Sequence, residues 1–153
     1  MILIDTNVLV YAVDALAPQH EQSRGFVETA RRGKAQAVLV PQVLLEFYAV
    51  ATGNRSLHPL APQDALEQVS VLRLSLPVLD PPVESLDRLK EILAARPDIC
   101  GGDVFDAWLV AQMRALGISV ICTYNVKDFA WHDGITARTP EELLPEPMSE
   151  PPS

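Results

Sequence analysis

Cysteine, histidine and positive charge are all scarce in this chain, and each shortage removes a class of function. Only Cys100 and Cys122 occur, with no C-x-x-C pair and no cysteine–histidine spacing. The sequence therefore points to neither a zinc site nor a disulfide framework. Cys122 falls in a strand pattern and reads as a small core residue. His20, His58 and His132 are scattered and carry no metal spacing. With no G-x-S-x-G elbow for a nucleophilic serine, a hydrolase triad is not indicated. A P-loop and a G-x-G-x-x-G fingerprint are also missing. No apolar run approaches the length of a membrane span. The first residues lack the basic region of a signal peptide. These absences predict a cytoplasmic protein with no membrane partner. Lys and Arg number 12 against 20 Asp and Glu, a formal charge of −8. That balance argues against broad, non-specific nucleic-acid binding. It does not argue against a nuclease, whose active-site acids add negative charge that a metal offsets locally.

What the chain does have is a set of acids placed after apolar segments. Its 153 residues are 48% hydrophobic and match one domain by length. A domain of this size buries roughly two-thirds of its unfolded surface and needs no disulfide to fold. Strand patterns are read at 1–4, 37–40, 76–79, 119–123 and 135–137. Helical patterns lie between them, near 8–11, 19–32, 41–52, 62–74, 83–95 and 103–116, with a turn at 140–144. Gly33 and Gly117 follow helices as C-terminal glycines, and Pro41 and Pro62 open helices. Strands alternating with helices predict an α/β fold with a mainly parallel central sheet covered on both faces. The domain is expected over residues 1–144. Residues 145–153 are rich in Pro, Glu and Ser and read as a disordered tail.

The first strand, Ile2-Leu3-Ile4, ends abruptly on Asp5-Thr6-Asn7. In open α/β sheets ligands bind outside the carboxyl ends of the strands, which is where Asp5 falls. Asp5 also reads as a helix N-cap, although Asn7 could take that role and leave Asp5 free. Glu46 sits in Val43-Leu44-Leu45-Glu46-Phe47-Tyr48, bordering an apolar stripe where a charge needs a partner or a metal. A pairing with Arg55 is the structural alternative. Asp103 and Asp106 share one face at the start of an almost wholly apolar helix. Asp103 reads equally well as a cap. A buried Asp106 should have a partner. Asn125 and Asp128 follow the Val120–Thr123 strand as candidates for the same crevice, or simply as turn formers, and Thr123 is a candidate to supply a hydroxyl there. Acids without matching bases suggest a site for a hard divalent cation, Mg²⁺ or Mn²⁺. Such a site suits hydrolysis of a phosphodiester.

In these segments the chain resembles the PIN-domain ribonucleases, and more narrowly the VapC-type toxins of toxin–antitoxin modules. Ile2-Leu3-Ile4-Asp5-Thr6-Asn7-Val8-Leu9 is similar to the family's first motif, and Val43-Leu44-Leu45-Glu46-Phe47 to its second. Val104-Phe105-Asp106-Ala107-Trp108 is similar to the third, and Ile121-Cys122-Thr123-Tyr124-Asn125-Val126-Lys127-Asp128-Phe129 to the fourth. The resemblance implies a three-layer α/β/α PIN-like fold. It implies Asp5, Glu46, Asp106 and Asn125 as the catalytic set, with Asp5 and Asp106 as direct ligands of Mg²⁺, for which Mn²⁺ can substitute. Asp103, Thr6, Asn7, Thr123 and Asp128 are accessory candidates. Asn125 stands where the family often has Asp, and Asp103 is the better candidate to make up the charge, ahead of Asp128. The resemblance further implies RNA as substrate, often tRNA or rRNA, a homodimer, and a VapB-type antitoxin that masks the site.

Two other readings belong beside this one. A haloacid-dehalogenase-like phosphatase also uses a strand-end Asp, but needs a second Asp where this chain has Asn7. A non-catalytic PIN-like module that binds RNA or protein would have no need to keep Asp5, Glu46 and Asp106 together. The arginines Arg24, Arg31 and Arg32, with Lys34, cluster on and after the second helical segment, and Arg55 follows the Glu46 helix. They are candidates to hold RNA, or a solvated face. Val8, Leu9, Val10, Tyr11, Val13 and Leu16, with Leu44, Leu45, Phe47, Tyr48 and Val50, offer apolar surface for a self-complementary dimer patch.

Overall fold

The computed structural model describes residues 1–145, so the expected tail lies outside the described residues except for Pro145. The chain runs β1 (Ile2–Ile4), α1 (Thr6–Val13), α2 (His20–Arg31), β2 (Ala37–Val38), α3 (Pro41–Thr52), α4 (Pro62–Ser75) and α5 (Ser85–Ala95). A 3-10 turn (Gly101–Asp103) then leads into α6 (Val104–Ala115), β3 (Val120–Cys122), α7 (Val126–Phe129), β4 (Thr136–Arg138) and α8 (Pro140–Leu143). The sheet is ordered β2-β1-β3-β4 and every pairing is parallel. Leu3 lies opposite both Val38 and Ile121. Leu3, Ile4, Ile121 and Cys122 are completely buried, as expected for strands covered on both faces. The flanking helices pack in two groups, α1 with α2 and α3, α3 with α4, and α2 with α8 on one hand, α5 and α7 with α6 on the other. Among the described residues no helix is long and apolar enough to cross a membrane.

The expected elements are present with three differences. The 76–79 segment forms only a single parallel bridge, Val78 to Leu39, closed by Leu39 N–H to Pro77 O and Leu79 N–H to Leu39 O, both 2.8 Å. Pro77 has no N–H to extend the ladder, and Pro41 turns the partner chain into α3. Residues 126–129, read as a turn, close one helical turn as α7. The first helix begins at Thr6 rather than Val8, because Asp5 is its N-cap. Gly33 and Gly117 end α2 and α6 with φ of +70°, the left-handed conformation glycine adopts at helix ends.

The sheet order places the site. From β1 the chain moves to β2 on one side, and β3 lies on the other. The carboxyl ends of β1 and β3 therefore flank the point where the winding reverses, the place where open α/β sheets bind ligands.

Candidate active site

Asp5 leaves the end of β1 buried, with 7% of its surface exposed, and both its carboxylate oxygens accept hydrogen bonds. Its Oδ1 accepts the Thr6 N–H at 2.7 Å, which caps α1. Its Oδ2 accepts from the Thr123 hydroxyl at 2.7 Å and from the Asn7 amide at 3.1 Å. Cap and cleft residue are thus one and the same, and Asn7 does not take the cap. Asn7 instead bridges the two strand ends: its Nδ2 also donates to Thr123 Oγ1 at 3.1 Å, and its Oδ1 accepts the Tyr124 N–H at 3.1 Å. Thr123, completely buried, accepts the Asn125 N–H at 3.0 Å as well. Burial raises the Asp5 pKa, the hydrogen bonds from Thr123, Thr6 and Asn7 oppose that, and the Glu46 charge adds to it.

Glu46 projects half-buried from α3. One carboxylate oxygen accepts from Thr6 Oγ1 at 3.0 Å and the other from Gln42 Nε2 at 2.7 Å. The suggested pairing with Arg55 does not form; Glu46 is held by neutral donors. Asp106, in the first turn of α6, makes no hydrogen bond or ion pair among the described residues. The expectation of a buried, partnered Asp106 is corrected: α6 buries Ala107 and Leu109 to Met113, while Asp106 is exposed on the face turned to the cleft. Desolvation there, followed by the charges of Asp5, Asp128, Glu46 and Asp103, pushes its pKa up to about 6. Asp128 and Asp103 both act on Asp106 by charge. Asp103 also makes no side-chain cap, since it ends a 3-10 turn rather than starting α6 from an extended conformation.

Asp5, Thr6, Asn7, Glu46, Asp106 and Asn125 line one cleft of about 930 Å³. Thr123 lies beneath it, and Asp103 and Asp128 stand outside its lining, close enough to act on Asp106 by charge. The cleft continues between α1 and α3 as a groove past Val10, Tyr11, Leu16, Val50 and Leu57, with Arg55 and His58 at its side. The arginines of α2 are elsewhere. Arg24 and Arg31 line a separate groove with α4, and Arg31 pairs with Glu28 at 2.8 Å, so only Arg55 of the expected basic residues reaches the cleft.

The donors suit a hard cation. They are carboxylate and amide oxygens with no soft ligand; Cys122 is buried, its thiol pushed up by burial and by Asp5. Among the described residues no three His, Cys, Asp or Glu side chains form a closed ligand group. Glu46 raises the Asp5 pKa, and Asp5 and Glu46 raise that of Asp106, so the bare acids repel. Two residues went unnoticed in the sequence, Gln42 and Gln112. Gln112 is 1% exposed and its Nε2 donates to Gln42 Oε1 at 2.6 Å, which links α6 to Glu46. A glutamine in an apolar helix was the only available signal.

Comparison with known proteins agrees with this geometry. The family model for the PIN domain matches residues 2–131. Ribonuclease VapC24 of Mycobacterium tuberculosis is 31% identical over 133 residues, 84% of this chain and 89% of that protein. Ribonuclease VapC43 of the same species is 35% identical over 115 residues, 72% of this chain and 77% of that one. Among solved structures, Mycobacterium tuberculosis VapC20, a sarcin–ricin loop cleaving toxin, matches with a TM-score of 0.63 at 16% identity, covering 85% of this chain and 94% of its own. VapBC2 from Rickettsia felis, bound to a promoter DNA fragment, matches with a TM-score of 0.66 at 17% identity, over 91% and 98% of the two chains. Those structures share the fold; the sequence relatives and the family model carry the assignment. The chain belongs to the PIN-domain family, among its VapC ribonucleases.

Proposed function

We propose that this protein is a Mg²⁺-dependent endoribonuclease, the toxin of a type II toxin–antitoxin pair, which hydrolyses RNA phosphodiester bonds with an activated water. The observation that carries the reading is the convergence of Asp5, Glu46, Asp106 and Asn125 on one cleft at the ends of β1 and β3. A bound cation would supply positive charge to the scissile phosphate and lower the pKa of a water. Asp5 and Asp106 are the proposed direct ligands. Asp5 is oriented for this by three donors, and among the described residues Asp106 has no competing partner. Asn125 offers an amide oxygen at the cleft rim. Glu46, held by Thr6 and Gln42, is the proposed acceptor of the water's proton. Asn7 donates its amide to Asp5, which suits a positioning group and not the acid/base of a phosphatase.

Partners are part of the same proposal. The apolar groove past Tyr11, Leu16, Val50 and Leu57 suits an antitoxin segment bound by helix-in-groove recognition, with an Arg able to reach the acids. Binding there would exclude RNA. A homodimer is proposed from the family resemblance. In the test, purified protein is incubated with total RNA and cleavage ends are mapped. Cleavage should need Mg²⁺ or Mn²⁺, stop with EDTA, and fall by at least about 100-fold in Asp106→Asn, the scale on which acid–base and metal groups contribute. Full cleavage in chelator would overturn the mechanism.

A further inference from the structure

The Glu46 carboxylate is aimed by side chains of two different elements. Thr6 holds Oε2 at 3.0 Å, and Gln42, one turn earlier on α3, holds Oε1 at 2.7 Å. The same Gln42 Nε2 also donates to Phe105 O at 3.2 Å. Behind it, Gln112 Nε2 donates to Gln42 Oε1 at 2.6 Å and to Trp108 O at 3.3 Å. The polarity of this chain admits a single solution. A carboxylate only accepts, so Gln42 must turn its NH₂ to Glu46 and its carbonyl to Gln112. Gln112 must then present its own NH₂. A reversed Gln42 amide would set its oxygen against the Glu46 carboxylate and its NH₂ against the Gln112 donor.

We propose that Gln112 and Gln42 form a positioning relay, Gln112 to Gln42 to Glu46, that sets the direction of the Glu46 carboxylate in the cleft. The inference rests on the ribonuclease reading above for its consequence, but not for its geometry. Gln112 is 1% exposed, so the relay is anchored in the core of α6. Phe105 O and Trp108 O, which also accept from it, come from residues either side of Asp106. The relay therefore ties the helix of Glu46 to the helix of Asp106, two acids whose charges oppose each other. Those helices pack mainly on other partners, α3 on α1 and α4, α6 on α5. A polar bridge between them fixes a separation that packing leaves loose. Neither glutamine touches the reacting atoms; both act through Glu46.

Gln112→Met keeps the volume and removes the amide, and a melting curve establishes that the variant is folded. The first readout needs no activity. In the wild type the Gln42 side-chain amide should give a shifted ¹H–¹⁵N signal with slow solvent exchange, and Gln112→Met, which removes the donor to Gln42 Oε1, should move that signal and speed its exchange while the bond to Glu46 remains. A free-amide signal in the wild type overturns the relay. The second readout is steady-state RNA cleavage at saturating Mg²⁺. In Gln112→Met kcat should fall about tenfold at unchanged KM, as expected when a reacting group is misaimed while substrate binding is kept. A folded Gln112→Met with wild-type kcat overturns the positioning role. If the wild type cleaves no RNA under any metal, the ribonuclease reading fails while the amide signal still decides the relay.

Discussion

Asp106 shows how one residue's chemistry depends on its neighbours. Among the described residues it has no donor, it faces the cleft, and its pKa is pushed up to about 6 by desolvation and by Asp5, Asp128, Glu46 and Asp103. Its folded pKa lies above the ordinary value of 3.8, so between those values the folded state holds more proton than the unfolded state. Metal-free stability therefore falls as pH rises through that window. Asp106→Asn removes the charge that causes the loss. It should stabilise the metal-free protein at pH 7 by less than about 1 kcal/mol, read as a higher melting temperature, because solvent at the cleft screens the charges. The difference should disappear below the ordinary Asp pKa. An Asp106→Asn protein that is less stable at pH 7 than the wild type would contradict this electrostatic account. Asp5→Asn is a less clean substitution, since an amide there presents NH₂ to the donors Thr123 and Asn7.

At the scale of elements, the junction of β1 and β3 is built as a polar lock. The Thr123 hydroxyl donates to Asp5 and accepts from Asn7 and from the Asn125 N–H. Asn7 reaches back to the Tyr124 N–H. The lock joins the start of α1 to the loop that leads into α7. Thr123→Val keeps the shape and leaves a buried carboxylate oxygen and two donors short of partners. It should cost about 1–3 kcal/mol, read as a lower denaturation midpoint at unchanged slope. A neutral Thr123→Val would mean that water replaces the hydroxyl without loss.

For the molecule as a whole, charge and apolar surface decide how partners are met. With a net charge of −8, RNA must be held by a few local cations. Arg55 is the Arg that lines the cleft; Arg24 and Arg31 line another groove. Arg55→Ala should raise KM for RNA with kcat kept and reduce the salt slope of binding by about 0.7, the value for one single-strand phosphate contact. An unchanged slope, measured by fluorescence anisotropy against salt, would remove Arg55 from the RNA path. Part of the apolar patch expected for dimerisation is core: Val8, Leu9, Leu44 and Phe47 are buried. Leu16, Leu45 and Val50 remain exposed, and Leu16 and Val50 belong to the cleft groove. Sedimentation at micromolar concentration should still give a dimer, and a Leu45→Lys substitution should weaken it if that face is the interface. A wild-type monomer would remove the dimer proposal.

The succession of the main strands and helices was legible in the amino-acid order, α7 and the single-bridge 76–79 segment apart, as were the mainly parallel α/β class and the acids at the segment ends. Those features are local: apolar runs, prolines at helix starts, glycines at helix ends, and an acid directly after a buried strand. Only the tertiary structure decided how the acids are held. Thr123 meets Asp5 across 118 residues, Gln112 meets Gln42 across 70, and Thr6 meets Glu46 across 40. No window of sequence carries a signal for such contacts. The same holds for the arginines of α2, which local spacing could cluster but not aim. The dual role of Asp5 was likewise undecidable from its neighbours, since a capping residue and a cleft residue have the same sequence signature. Which of its oxygens caps and which meets Thr123 depends on β1 and β3 lying side by side, and that is a property of the assembled sheet.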